Sequence, residues 1–281
     1  MAKTETIETG LSLPLVFSGG GKGGSAKSTT AQSMVGVLRH LGYKHPIIIE
    51  LESNPRQVNY YGNAIDDNKG YAIHIPVSQD ALDDIEHNTG LVYAAFDKAT
   101  RIARKTIENY GRPAIIDLSA NLDFYYASYI QLMNNRFFGN GKNIYYIGNA
   151  TGRVDAMKDA VKGISYFKQS MINCTCIAAF SNADTTILRG PNDHAVSQFS
   201  DAARSEGADD FIYLPRIIAP NLLTWADDNA TPLDKLATMH EEKIAEESGI
   251  EVEEIARSQL RIIRHIRIWS DAMPKFIPKA E

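Results

Sequence analysis

A glycine-rich turn constrains this chain more than any other stretch of it. Gly19-Gly20-Gly21-Lys22-Gly23-Gly24-Ser25-Ala26-Lys27-Ser28-Thr29-Thr30 carries two lysines five positions apart and closes in hydroxyls. It follows an apolar run, Leu13 to Phe17, and leads into Ala31-Gln32-Ser33-Met34-Val35-Gly36-Val37-Leu38, so the order reads strand, tight loop, helix. A plain flexible linker would need neither the strand before it nor the Lys-Ser-Thr ending. Such a loop aims successive backbone N–H groups and a helix N-terminus at an anion, and phosphate chains are the anions that match.

The phosphate-loop template G-x-x-x-x-G-K-[ST] is met at Gly21, Lys27 and Ser28. Gly23, Gly24, Ser25 and Thr29 complete the cradle, while Ala26 stands where the second glycine belongs. A methyl group crowds a backbone that must approach phosphate, and Ala26 is strained if its φ is positive. In this reading Lys27 meets the β- and γ-phosphates and Ser28 supplies a hydroxyl to magnesium. The implied ligands are ATP or another nucleoside triphosphate, and Mg2+.

The rest of the chain reads as alternating strands and helices. Pro46 to Glu50, Ala114 to Asp117, Asn143 to Ile147, Cys174 to Phe180 and Phe211 to Leu214 are apolar runs suited to buried parallel strands. Between them lie helical patterns over Gly90 to Asn109, ended by Gly111-Arg112-Pro113, and from Asp155 to Lys168. Asn54 to Ser78, broken by Gly62, Gly70 and Pro76, reads as irregular. The fold class is therefore α/β, an open, mostly parallel sheet with helices on both faces. Met1 to Gly10 reads as a loose tail, and residues 11–281 as one domain closed by C-terminal helices over about 231–273.

Ligands of open parallel sheets bind at the carboxyl ends of the strands. Glu50 and Glu52 fall at the end of the second strand, Asp117 at the third, Asn182 at the fifth and Pro215 at the sixth. Asp117, closing Ile115-Ile116-Asp117, is what a magnesium site beside a triphosphate needs: a carboxylate held rigidly by a strand. Its plainer reading is a turn or cap residue, and that of Glu50 and Glu52 a solvated strand end. With 281 residues, 44% of them hydrophobic, the chain buries a core without disulfides. Cys174 and Cys176 share one face of a strand and read as buried apolar side chains. A net charge of -5 gives no global attraction to nucleic acid or anionic lipid. The start lacks a leader-like apolar segment and no run is long enough to span a bilayer, which points to the bacterial cytoplasm as the location.

Lys22 narrows the class, because an ordinary phosphate loop has no use for a lysine there. Lys22-Gly23-Gly24-Ser25-Ala26-Lys27-Ser28-Thr29 resembles the deviant Walker A motif of the MinD/ParA family of P-loop ATPases. The resemblance extends, with falling specificity, from about Leu13 to Ile217. It implies that Lys22 reaches the partner's nucleotide across an ATP-dependent homodimer. It further implies that Glu50-Leu51-Glu52 stands for the family's Asp-x-Asp, with Glu50 near the metal and Glu52 orienting the attacking water. Asp117 then takes the Walker B position, Asn182 reads the adenine and Pro215 flanks it. Two departures stand out. Glu52 is one methylene longer than the family's aspartate, and Ser119-Ala120 replace prolines that many relatives carry after Asp117. From Glu52, with Ala26 also altering the loop, hydrolysis is expected to be slow or dependent on a protein partner, and from Ser119-Ala120 the switch loop is expected to move differently.

Past Leu233 the chain turns acidic and then basic. Arg257, Arg261 and Arg264 share one helical face and Ile262, Ile266 and Trp269 another. The plain reading is a helix packed on the sheet with solvated arginines; the sharper one, by analogy with the family, is a stripe that meets DNA or a membrane surface. The leading functional expectation is an ATP-dependent dimerising switch in plasmid or cargo partition, positioning or conjugative transfer. The alternatives are a nucleotide-binding scaffold without hydrolysis, and an ATP-dependent carboxylate ligase of the same fold, against which Lys22 argues.

Overall fold

The computed structural model describes residues 11–20, 26–62, 71–133, 138–139, 141–182 and 187–280. The N-terminal tail and, within the loop, Gly21, Lys22, Gly23, Gly24 and Ser25 lie outside the described residues. Along the chain run β1 (Leu15–Gly19), α1 (Lys27–His40), β2 (Ile47–Glu52), α2 (Gln57–Tyr61), β3 (Ala72–Pro76), α3 (Gln79–Asp83), α4 (Thr89–Tyr110) and β4 (Ala114–Leu118). Then come α5 (Leu122–Leu132), β5 (Ile144–Ala150), α6 (Val154–Ser170), β6 (Thr175–Ser181), α7 (His194–Ser205) and β7 (Asp210–Leu214). The C-terminal helices are α8 (Pro220–Asp228), α9 (Leu233–Leu236), α10 (Glu241–Ser248) and α11 (Val252–Ala272).

The seven strands form one sheet in the order β3-β2-β4-β1-β5-β6-β7, and every pairing is parallel. Strand alternation sorts the apolar side chains into two cores. Leu15, Phe17, Ile49 and Ile116 point to one face, where Phe96 and Ala103 of α4, Tyr126 of α5 and Phe167 of α6 cover them. Val16, Ile48, Ile115 and Ile147 point to the other, under Met34 and Leu38 of α1 and Trp269 of α11. Each fully buried Leu, Ile, Val, Phe or Met among them contributes about 1.5–3 kcal/mol. The sheet with helices on both faces is thus the predicted α/β class, and the C-terminal region is helical.

The strands reach further toward their carboxyl ends than hydrophobicity alone indicates. β1 ends at Gly19, paired with Gly148, and β2 at Glu52, paired with Pro76. Glu50, Glu52 and Asp117 therefore sit within strands rather than after them: ladders on both sides continue through Glu50 and Asp117, and the β3 ladder carries β2 on to Glu52. β3, absent from the sequence reading, is an edge strand paired only to β2. An edge accommodates His74 and Pro76, since one side of its ladder makes no bonds. Gly111, at φ 60, closes α4 in the left-handed conformation that favours glycine. Cys174 and Cys176 are both buried in the first core, with sulfurs 4.0 Å apart and both thiols free. Burial pushes the Cys174 thiol well above its ordinary range. Among the described residues, no helix is long and apolar enough to cross a membrane.

Candidate functional site

The carboxyl ends of β1, β2 and β4 meet at the N-terminus of α1. Register fixes the meeting: Ser18 lies beside Asp117, and Glu50 beside Asp117 on its other side. Ala26, the residue before α1, adopts φ 66 and ψ 16, so the strain anticipated for a non-glycine residue at this point is present. The turn is held from beneath. Ser18 Oγ donates to the Lys27 carbonyl at 2.8 Å, and Ala26's carbonyl accepts the Thr30 N–H at 2.9 Å.

Lys27 is 9% exposed, with its charge near two buried carboxylates, Asp117 and Asp123. Burial pushes the Asp117 carboxyl up, and the Gln57 amide, the Lys27 charge and the Ser28 hydroxyl oppose that rise. Ser28 and Asp117 also line one cavity of ≈ 300 Å³ together with Glu50, Glu52 and Arg56. Hydroxyl and carboxylate oxygens are the donors Mg²⁺ takes, so this pair fits the ion. Among the described residues, no three His, Cys, Asp or Glu groups converge as a complete metal cage. A magnesium bound chiefly through phosphates and water does not require one.

Glu50 does something different from Asp117. Both its oxygens accept the backbone N–H groups of Arg56 and Gln57, at 2.9 to 3.1 Å, so it anchors the N-terminal end of α2. Burial lifts its carboxyl to about 7, with those N–H groups opposing and the Asp117 and Glu52 charges adding. Glu52 is half-buried at the cavity rim, and its Oε1 accepts the Ser119 hydroxyl at 3.0 Å and the Ser53 N–H at 3.1 Å.

A second cavity, of ≈ 260 Å³, opens on the other side of α1's N-terminus. Ala26, Thr29, Ser181, Pro215, Leu223 and His265 are among its walls, a mostly apolar lining. Pro215 thus lines an apolar pocket beside the N-terminus of α1. Asn182 is committed elsewhere: its amide donates to the Arg189 carbonyl and the Tyr213 hydroxyl, both at 2.7 Å, and its oxygen accepts the Arg189 N–H at 3.1 Å. His265 reaches this cavity from α11. Its imidazole is 2% exposed, neither ring nitrogen makes a well-formed hydrogen bond among the described residues, and burial drives its pKa down to about 4 against a weaker opposing pull from the Pro215 backbone.

Three polar residues of the site escaped the sequence reading. Gln57 is fully buried; its amide donates to Asp117 Oδ2 at 2.9 Å and to the Ser28 carbonyl at 3.3 Å. Asn149, at the end of β5, donates to Ser18 Oγ at 3.1 Å and the Gly19 carbonyl at 2.8 Å, and accepts the Thr30 hydroxyl at 2.6 Å. Asp123 accepts the Gly20 N–H at 3.1 Å and the Tyr146 hydroxyl at 2.9 Å. Burial pushes its carboxyl up, and Tyr146 first, then Lys27, oppose. Ser119, which the sequence marks only as a departure after Asp117, sits beyond β4 against Glu52. Only Asn149 carried a usable signal, since it ends a strand on the same edge as Asp117.

Away from this edge, Arg257, Arg261 and Arg264 are all exposed on α11, and the Arg261 guanidinium donates to the Ile218 carbonyl. Ile262 and Trp269 on the opposite face are fully buried and Ile266 is half-buried, as their spacing requires. A scan against protein-family models finds no match to the chain, and a search of curated proteins finds none either.

Proposed function

We propose that this chain is an ATP-dependent dimerising switch of the MinD/ParA type, with slow or partner-stimulated hydrolysis. The observation that carries the reading is the convergence of Lys27, Ser28, Asp117 and Glu52 at one strand edge, between a polar cavity and a largely apolar one. The polar cavity suits a γ-phosphate and its water; the apolar one suits a nucleobase. Ser28 and Asp117 would hold Mg²⁺, which neutralises charge on phosphate oxygens when bound. The Lys27 ammonium binds the β- and γ-phosphate oxygens, and the N-terminus of α1 adds its dipole. Glu52 orients water for in-line attack and accepts its proton. Lys22 completes the charge from the partner subunit in this reading, which rests on the sequence of the loop.

Cargo delivery in plasmid partition, positioning or conjugative transfer follows from the same resemblance, with Arg257, Arg261 and Arg264 offered to DNA or an anionic membrane. The observation favouring a second reading, a nucleotide-binding scaffold without turnover, is the pair of departures at Ala26 and Glu52. Light scattering after size exclusion separates dimerising from non-dimerising proteins. Wild type is expected to be dimeric with ATP or a non-hydrolysable analogue and monomeric with ADP, and Lys22→Ala and Lys27→Ala to stay monomeric throughout. A wild type unchanged by ATP, with Lys22→Ala indistinguishable from it, defeats the switch reading.

A further inference from the structure

Glu52 is the residue at which this site departs most from an aspartate-based one. A glutamate places its carboxylate one methylene further from the strand and adds a rotatable bond, so an unheld carboxylate samples positions more than an angstrom apart. Misplacement of about an angstrom costs reactions of this kind up to about a hundredfold in rate. The structure answers that freedom with two donors to Glu52 Oε1, of which the one from another part of the chain is the hydroxyl of Ser119, just past β4, at 3.0 Å.

Ser119 is well placed to act as a fixed post. It is 4% exposed, and its own N–H donates to the Leu51 carbonyl at 3.0 Å, prolonging the β2–β4 ladder by one residue past β4. Its Oγ is therefore referenced to the same backbone that carries Glu52. The Ser53 N–H on Oε1, at 3.1 Å, is a second donor to that oxygen. Oε2 accepts no hydrogen bond among the described residues, which leaves one carboxylate oxygen for another proton. His74 adds support from the edge strand by bonding the Glu52 carbonyl at 2.8 Å.

We propose that Ser119 is a positioning residue that fixes the Glu52 carboxylate to accept the proton of the attacking water. The inference rests on the ATPase reading above. In the step, water's oxygen forms the new bond to the γ-phosphorus, the bond from phosphorus to the bridging oxygen breaks with ADP leaving, and water's proton passes to Glu52. Ser119 touches none of the reacting atoms.

The experiment is steady-state ATP hydrolysis by wild type, Ser119→Ala, Ser119→Thr, Glu52→Gln and the Ser119→Ala/Glu52→Gln pair, with thermal melts confirming folding. Ser119→Ala is expected to lower kcat by roughly tenfold at unchanged KM, the signature of an interaction used on the way to the transition state. Ser119→Thr, which keeps the hydroxyl, restores most of the rate. In the Glu52→Gln background Ser119→Ala adds nothing further, because its effect runs through the carboxylate. If Ser119→Ala retains full kcat, or lowers it equally in both backgrounds, the inference is overturned while the ATPase reading stands. A wild type that binds Mg·ATP yet never turns it over defeats hydrolysis and this inference together. A wild type that binds no nucleotide defeats the reading at its root.

Discussion

Replacing Ala26 by glycine should stabilise the protein, an unusual direction for a change that deletes a methyl group. Ala26 sits at φ 66 and ψ 16, just before α1, and its methyl side chain cannot cap the helix. The left-handed region costs an L-residue about 1–2 kcal/mol, and glycine escapes that cost. Against this, glycine gives the unfolded chain more freedom, which offsets about 0.4–1 kcal/mol. Glycine is also the better residue at a helix N-cap, where alanine costs roughly 0.5–1 kcal/mol more. The balance is a gain of about 1 kcal/mol, or a rise in Tm of about 2 °C for a chain of this size. Urea unfolding reads it as a higher midpoint at constant slope. Ala26→Val, β-branched and so worse in this conformation, should move the midpoint the opposite way. A glycine variant no more stable than wild type would refute the strain argument. Mg·ATP binding should tighten in Ala26→Gly as well, since a methyl group leaves the phosphate path.

Two further changes probe the supports beneath the loop and the pocket beside it. A Cβ on Gly19 would collide with Asp123 Oδ1 and approach the Tyr146 ring and hydroxyl to 2.7 and 2.8 Å, so Gly19→Ala should cost at least about 2–3 kcal/mol by chemical denaturation. Gly90, with open space around its Cβ position, should tolerate alanine without loss. His265 holds a pKa of about 4 in the fold and about 6.5 in the unfolded chain, so between those values only the unfolded chain binds the proton. Stability contributed by the neutral ring is therefore present above pH 6.5 and is lost as pH falls, by about 2 kcal/mol between pH 7 and pH 5. Unfolding of His265→Phe should lack that part of the slope.

The sheet was legible because its strands are apolar runs and its helices repeat at helical spacing. β3 was not, since Ala72 to Pro76 mixes His74 and Pro76 into a short edge strand whose pairing is decided by β2 alone. The core of the site followed from one physical rule, that polar residues at strand ends gather at one edge: Asp117 and Glu52 do meet Lys27 and Ser28 there. The same rule puts Glu50 at the strand edge beside Asp117 and Asn182 just past β6, and leaves their partners open. Glu50 spends its oxygens on α2, and Asn182 spends its amide on Arg189 and Tyr213. Gln57 and Asp123 were invisible because an amide or carboxylate on a helix looks solvated until tertiary packing buries it. Their burial is tolerated since each finds hydrogen-bond partners in the strand-end network.

The central claim is that Lys27 and its surroundings hold a nucleoside triphosphate, and titration calorimetry of the purified protein with Mg·ATP tests it most directly. Wild type is expected to show saturable one-site binding, Lys27→Ala a loss of at least about tenfold in affinity from removing a charged hydrogen-bond donor, and Lys98→Ala, which alters an exposed lysine on α4 away from the site, little change. No heat of binding in wild type, or equal affinity in wild type and Lys27→Ala, would contradict it.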